Sequence, residues 1–131
     1  MARILIVDDD SVFRAILEDT LREYAPRYYH SKWDLRFTSV GDPITALSLV
    51  KEHNFELIIT DVLMARMDGY QLIKELRKKF PQFDTPIVVI SAIQGVELEY
   101  ESMKNGASAW FHKPLQYEKF SEAMYTFIQE R

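Results

Sequence analysis

Apolar residues recur along this chain in two alternating rhythms. Ile4-Leu5-Ile6-Val7 is a short, wholly apolar run rich in β-branched residues, as expected of a strand buried on both faces. From about Ser11 the rhythm changes, and Phe13, Ile16, Leu17 and Leu21 line one face at helical spacing. Leu35-Arg36-Phe37 opens an alternating strand that continues to about Val40. Asp42-Pro43 starts a helix, with Asp as N-cap and Pro at the first helical position, and Ile44, Leu47 and Val50 form its apolar stripe. Leu57-Ile58-Ile59 is a second continuous apolar strand, ending at Asp61. Gly69 marks a turn into a helix carrying Leu72, Ile73 and Leu76. Pro86 opens the strand Ile87-Val88-Val89-Ile90, which ends at Ser91. A weaker helix spans about Val96 to Lys104, with Asn105-Gly106 as its C-cap. Ala109-Trp110-Phe111 is a mixed strand ending near Lys113-Pro114, and a last helix buries Phe120, Met124, Phe127 and Ile128.

Alternating strand and helix units imply a parallel sheet with helices on both faces, a doubly wound α/β sandwich of three layers. The strands beginning at Ile4, Leu57 and Ile87 are apolar throughout and belong in the middle of the sheet. Those around Phe37 and Trp110 are mixed and belong at its edges. The predicted order is therefore the flavodoxin-like 2-1-3-4-5.

Length and composition narrow the picture. A chain of 131 residues, 47% hydrophobic and 27% charged, suits one domain spanning residues 1–131. A net charge of −4 gives no electrostatic footprint for direct nucleic-acid binding. The chain has no cysteine, which excludes disulfides and thiolate metal sites. The apolar run near the N-terminus is too short for a signal peptide or membrane span, so a soluble cytoplasmic protein is the expectation.

Open parallel sheets bind ligands beyond the carboxyl ends of their strands. Those ends carry Asp8, Asp9 and Asp10, then Asp61, Ser91 and Lys113. Two carboxylates about 5 Å apart repel by roughly 3 kcal/mol at an effective dielectric of 20, so the cluster calls for a hard cation or a raised pKa. Mg²⁺ suits it better than Zn²⁺, because no Cys or His lies at a comparable strand end. A metal-bound carboxylate beside a Lys and a hydroxyl is a phosphoryl-transfer arrangement. Asp61 is then the nucleophile. Asp8 and Asp9 hold Mg²⁺ together with Asp61 and the backbone carbonyl of Leu63, and Ser91 and Lys113 hold phosphoryl oxygens. Taken singly, each residue has a plainer role as turn, cap or surface residue. Asp10 keeps that plainer role, as the residue leading into the first helix.

These segments resemble the receiver domains of two-component response regulators. ILIVDDD is similar to their first strand with its acidic pair, and LIITDVLMARMDGY to their phosphoacceptor segment. PIVVISA resembles the fourth strand with its hydroxyl residue, and GASAWFHKP the segment with a switch aromatic, Lys and Pro. The resemblance covers nearly the whole chain. It implies Asp8 and Asp9 for metal, Asp61 for phosphorylation, Ser91 and Lys113 for signal coupling, and Trp110 as the switch aromatic. It also implies a cis Lys113–Pro114 bond, an output surface of the fourth helix, fifth strand and fifth helix, and a sensor histidine kinase or histidine phosphotransfer protein as donor. A downstream protein partner is implied without being named, and monomer and homodimer stay equally open. Three departures stand out: Ala65 where the family usually has Pro, Trp110 for Tyr or Phe, and a longer aromatic link over residues 23–33.

Other signals carry less. Ser48-Leu49-Val50-Lys51 matches an S-x-x-K pattern, but inside a predicted helix and without companion motifs. His30, His53 and His112 show no metal spacing, and His112 should face away from Lys113 on its strand. A receiver-like module that is never phosphorylated is disfavoured by the intact acidic pair, Asp61, Ser91 and Lys113. A phosphoaspartate-forming hydrolase would place a second Asp where Leu63 stands.

Overall fold

The computed structural model describes residues 2–29, 35–61, 69–79, 84–92 and 96–129. Strands β1 (Ala2–Val7), β2 (Leu35–Val40), β3 (Leu57–Asp61), β4 (Ile87–Ser91) and β5 (Ala109–His112) alternate with helices α1 (Ser11–Tyr28), α2 (Pro43–Glu52), α3 (Gly69–Lys79), α4 (Val96–Lys104) and α5 (Tyr117–Gln129). The sheet order is β2-β1-β3-β4-β5, and each neighbouring pair is parallel. The order follows from burial: β3 and β4 are buried at every residue, whereas β2 and β5 are only partly covered.

Side chains alternate between the two faces of each strand. Ile4, Ile6, Leu57, Ile59, Val88 and Ile90 pack beneath α1 and α5, against Leu17, Leu21, Phe120, Met124 and Tyr125. Leu5, Val7, Ile58, Ile87 and Val89 face the other way, onto Ala46 and Val50 of α2 and Leu72, Ile73 and Leu76 of α3. The helix α4 packs against α3 and β5. All these strands run in one direction, so their carboxyl ends, and the residues just after them, gather along one edge of the sheet.

Two expected core positions are exposed, Ile16 at 41% and Ile44 at 51%, and three, Phe13, Leu47 and Phe127, are only partly buried. On α1 the covered face is Leu17, Thr20 and Leu21, and Ile16 falls one helical step to its side. On α2 the stripe is Pro43, Ala46 and Val50, small residues whose helical spacing leaves Ile44 at the rim. On α5, Ser121 and Tyr125 join Phe120, Met124 and Ile128 inside.

The aromatic link begins as an extension of the first helix, which runs to Tyr28 and carries Pro26 in its last turn. Its end is fastened to α5. The Tyr28 hydroxyl donates to Glu118 at 2.6 Å, Gln129 donates to the Tyr28 carbonyl at 3.0 Å, and Tyr29 stacks on Tyr125 with centroids 5.3 Å apart. Tyr125 also donates to the Leu21 carbonyl, and burial pushes its phenol pKa up. Residues 30–33 of the link, with Trp33, lie outside the described residues, as do Leu63 and Ala65.

Candidate functional site

The site is assembled at the carboxyl edge of the sheet by the register of its central strands. Val7 pairs with Thr60 and Asp61 with Ile90, so Asp8 and Asp61 end adjacent strands. Asp8 leaves the strand in a turn that its own neighbours stabilise. Its amide donates to the Val40 carbonyl at 3.1 Å, and the Asp10 amide donates to its Oδ1 at 2.9 Å. Asp10 in turn caps α1, accepting from the amides of Val12 and Phe13 at 3.0 and 3.2 Å. That is the capping role its position predicted.

Lys113 reaches this edge from beyond β5. Its amide donates to the Ser91 carbonyl at 2.9 Å, which seats it beside the end of β4, and its bond to Pro114 is cis, as the resemblance implied. The ammonium lies 3.1 Å from Asp8 Oδ2 and 2.9 Å from Asp61 Oδ2. It also sits 3.9 Å from the centroid of the Phe13 ring, a cation–π contact that shields it from water. Asp8 is 3% and Asp61 8% exposed, and Ser91 is fully buried.

The electrostatics are unbalanced. Burial pushes the Asp8 carboxyl above its usual range, against the opposing pull of the Asp10 amide and Lys113. Burial would lower the Lys113 pKa, but its bonds and attraction to Asp61 and Asp8 prevail and raise it. Among the described residues, two buried carboxylates thus share one ammonium. A hard divalent cation fits that deficit, since Mg²⁺ commonly binds through one or two carboxylates and keeps several waters. Among the described residues no three acidic or histidine side chains converge into a ready-made cage. Asp9, the third predicted ligand, is exposed at the rim, and the Leu63 carbonyl falls outside the described residues.

The Asp8, Asp61 and Lys113 side chains therefore meet as their strand-end positions predicted, and Ser91 joins them through its carbonyl, which accepts from the Lys113 amide. Trp110 stands one strand further out. It pairs in register with Val89 and is partly buried against the α2–α3 side of the sheet, and its indole Nε1 is buried without a hydrogen-bond partner among the described residues. His112 shares that side, with ring centroids 6.0 Å apart. Sequence periodicity gave no hint of three further participants. Phe13 reads as an ordinary core residue, Thr60 donates to the Asp61 carbonyl at 3.0 Å, and Arg14 donates to the Asp8 carbonyl.

A family model described as the response regulator receiver domain matches residues 4–125. The transcriptional regulatory protein ZraR of Salmonella typhimurium is 33% identical over 121 residues, which are 92% of this chain and 25% of that protein. A putative two-component response regulator of Arabidopsis thaliana, ARR21, is 37% identical over 114 residues, 86% of this chain and 16% of that one. The chain thus spans about a quarter or less of the length of these curated relatives. Among solved structures, the Vibrio cholerae chemotaxis protein CheY4 superposes with a TM-score of 0.81 at 26% identity, covering 97% of this chain and 98% of that one. The receiver domain of the Francisella response regulator 1452 gives 0.84 at 24% identity, covering 99% and 98%.

Proposed function

The chain belongs to the response regulator receiver family, and from that premise we propose that it accepts a phosphoryl group on Asp61 in an Mg²⁺-dependent reaction. The observation that carries this reading is the Lys113 ammonium bridging Asp8 and Asp61 at 3.1 and 2.9 Å. A sensor histidine kinase or histidine phosphotransfer protein is the donor. The Asp61 carboxylate attacks phosphorus, the bond to the donor's imidazole nitrogen breaks, and an acyl phosphate forms. Lys113 holds one phosphoryl oxygen and the Ser91 hydroxyl donates to another. Asp8, Asp9, Asp61 and the Leu63 carbonyl would hold Mg²⁺, which would supply charge neutralisation on the transferring group. Phe13 keeps the ammonium in place. The chain catalyses its own phosphorylation and its later hydrolysis, but its role is that of a cytoplasmic switch, not a metabolic enzyme.

The test is direct. The protein is incubated with a small phosphodonor and Mg²⁺, and the modified peptide is mapped by mass spectrometry. Label is expected on Asp61 alone, lost with chelator and lost in Asp61→Asn. Label that persists in either case would sink the assignment.

A further inference from the structure

Arg14 lies outside the residues that the strand ends single out, yet it grips the acidic turn. Its Nη1 donates to the Asp8 carbonyl. A Cβ on Gly41 would stand 3.2 Å from that Nη1 and 4.0 Å from the Asp8 carbonyl oxygen. Among the described residues Gly106 is the one glycine with positive φ, so Gly41 is not needed for a left-handed backbone. What it provides is room for the guanidinium. The Asp8 amide bonds to Val40 at 3.1 Å, so the turn after β1 and the turn after β2 close on Arg14 from two sides.

We propose that Arg14 is a positioning residue for the metal site, fixing the Asp8–Asp9 peptide, and that Gly41 is bare to admit it. Every polar end of Asp8 is then held. Oδ1 accepts from Asp10 at 2.9 Å, Oδ2 faces Lys113 at 3.1 Å, the amide bonds to Val40, and the carbonyl accepts from Arg14. With that peptide plane fixed, the Asp9 side chain has only its own torsions left to set in reaching a cation beside Asp8. Outer partners of this kind orient metal ligands.

Charge and position make opposite demands on Arg14. A guanidinium at the rim repels a divalent cation, so an Arg14 that acted by charge alone would weaken binding, and its removal would tighten it. An Arg14 that acts by position strengthens binding, and its removal loosens it. The sign of the change decides between them.

The inference rests on the reading of Asp8 and Asp61 as the metal site. The test titrates Mg²⁺ into the whole chain by calorimetry and by the Mg²⁺-dependent rise in melting temperature. Arg14→Ala is expected to raise the Mg²⁺ Kd about tenfold or more, and Arg14→Lys, which keeps a donor and the charge, to recover part of the loss. Gly41→Val should weaken binding when Arg14 is present and add nothing in Arg14→Ala. Should Arg14→Ala fail to melt cooperatively in chelator, Gly41→Val alone carries the test, and unchanged Mg²⁺ affinity in that variant overturns the inference. Unchanged or tighter binding in a folded Arg14→Ala overturns it, as does an equal Gly41→Val loss in both backgrounds. A wild-type chain that binds no Mg²⁺, or whose binding survives Asp8→Asn, would instead overturn the metal-site reading beneath it.

Discussion

Lys113 is the residue on which the charge balance of the site turns. Its side chain is 20% exposed, and it is bonded to two carboxylates whose side chains are 4% and 10% exposed. Removing one partner of a buried ion pair leaves the other uncompensated, a loss of roughly 3–5 kcal/mol when burial is complete. Partial exposure of Lys113 reduces that figure, so Lys113→Ala should lose about 2 kcal/mol in chelator, read from urea denaturation. A cation between Asp8 and Asp61 would restore the missing charge. Mg²⁺ should therefore stabilise Lys113→Ala more than it stabilises the wild type, and equal Mg²⁺-dependent shifts in melting temperature would contradict this account. The same residues show what a sequence can reveal of a site. Asp8, Asp61, Ser91 and Lys113 are legible because each is polar and stands at or just beyond the carboxyl end of a strand, so the topology alone brings them to one edge. Arg14 and Gly41 are not, because their contact depends on one long side chain spanning two turns, and no periodicity encodes that reach.

The elements around the site differ in how firmly they are held. The C-terminus of α4 is closed by a Schellman pattern, with Gly106 N–H bonded to the Met103 carbonyl at 3.1 Å and Ala107 N–H to the Ser102 carbonyl at 3.0 Å. Gly106 has φ 116°, and a Cβ there would lie 2.8 Å from Arg77 Cγ. The Arg77 guanidinium itself donates to the Gly106 carbonyl at 3.2 and 2.9 Å, tying α3 to the turn that leads into β5. Gly106→Ala should lose about 2 kcal/mol through backbone strain and crowding. Shortening Arg77 in that background should cost less than it does in the wild type, because it relieves the clash, and strictly additive losses in denaturation would argue against it. On the opposite layer, Tyr125→Phe removes the bond to the Leu21 carbonyl while keeping the ring, and a loss of about 1 kcal/mol is expected. Strand order was legible at this scale because fully apolar and mixed runs differ visibly. The inward faces of α1 and α2 were less so. Ile16 and Ile44 are large and apolar but sit at the rim, while Pro43 and Ala46 are small enough for α2 to lie close to the sheet, and size misleads a reading based on hydrophobicity alone.

At the scale of the whole molecule the question is how a group on Asp61 reaches the far edge of the sheet. Ser91 is buried, and its carbonyl accepts from the Lys113 amide at 2.9 Å, so a phosphoryl group contacting both residues acts on one hydrogen-bonded unit. Trp110 lies on the next strand, paired with Val89, under the side of the sheet that α4 shares. Its shielded Nε1 has no partner among the described residues, and a buried unsatisfied donor costs roughly 1–3 kcal/mol. Moving a two-state balance from 1:99 to 99:1 requires about 5.5 kcal/mol of differential stabilisation. New charge-assisted bonds at Ser91 and Lys113, roughly 1.5–3 kcal/mol each, reach that range. Trp110 emission should therefore change when the protein is activated with Mg²⁺ and beryllofluoride, measured in a Trp33→Phe background to isolate one indole. On the proposed reading, in which the Ser91 hydroxyl donates to a phosphoryl oxygen, Ser91→Ala should abolish that change while Asp61 is still modified. Emission that responds equally in Ser91→Ala would mean the signal leaves Asp61 by a route that bypasses Ser91. Emission that never responds would mean that the signal bypasses Trp110.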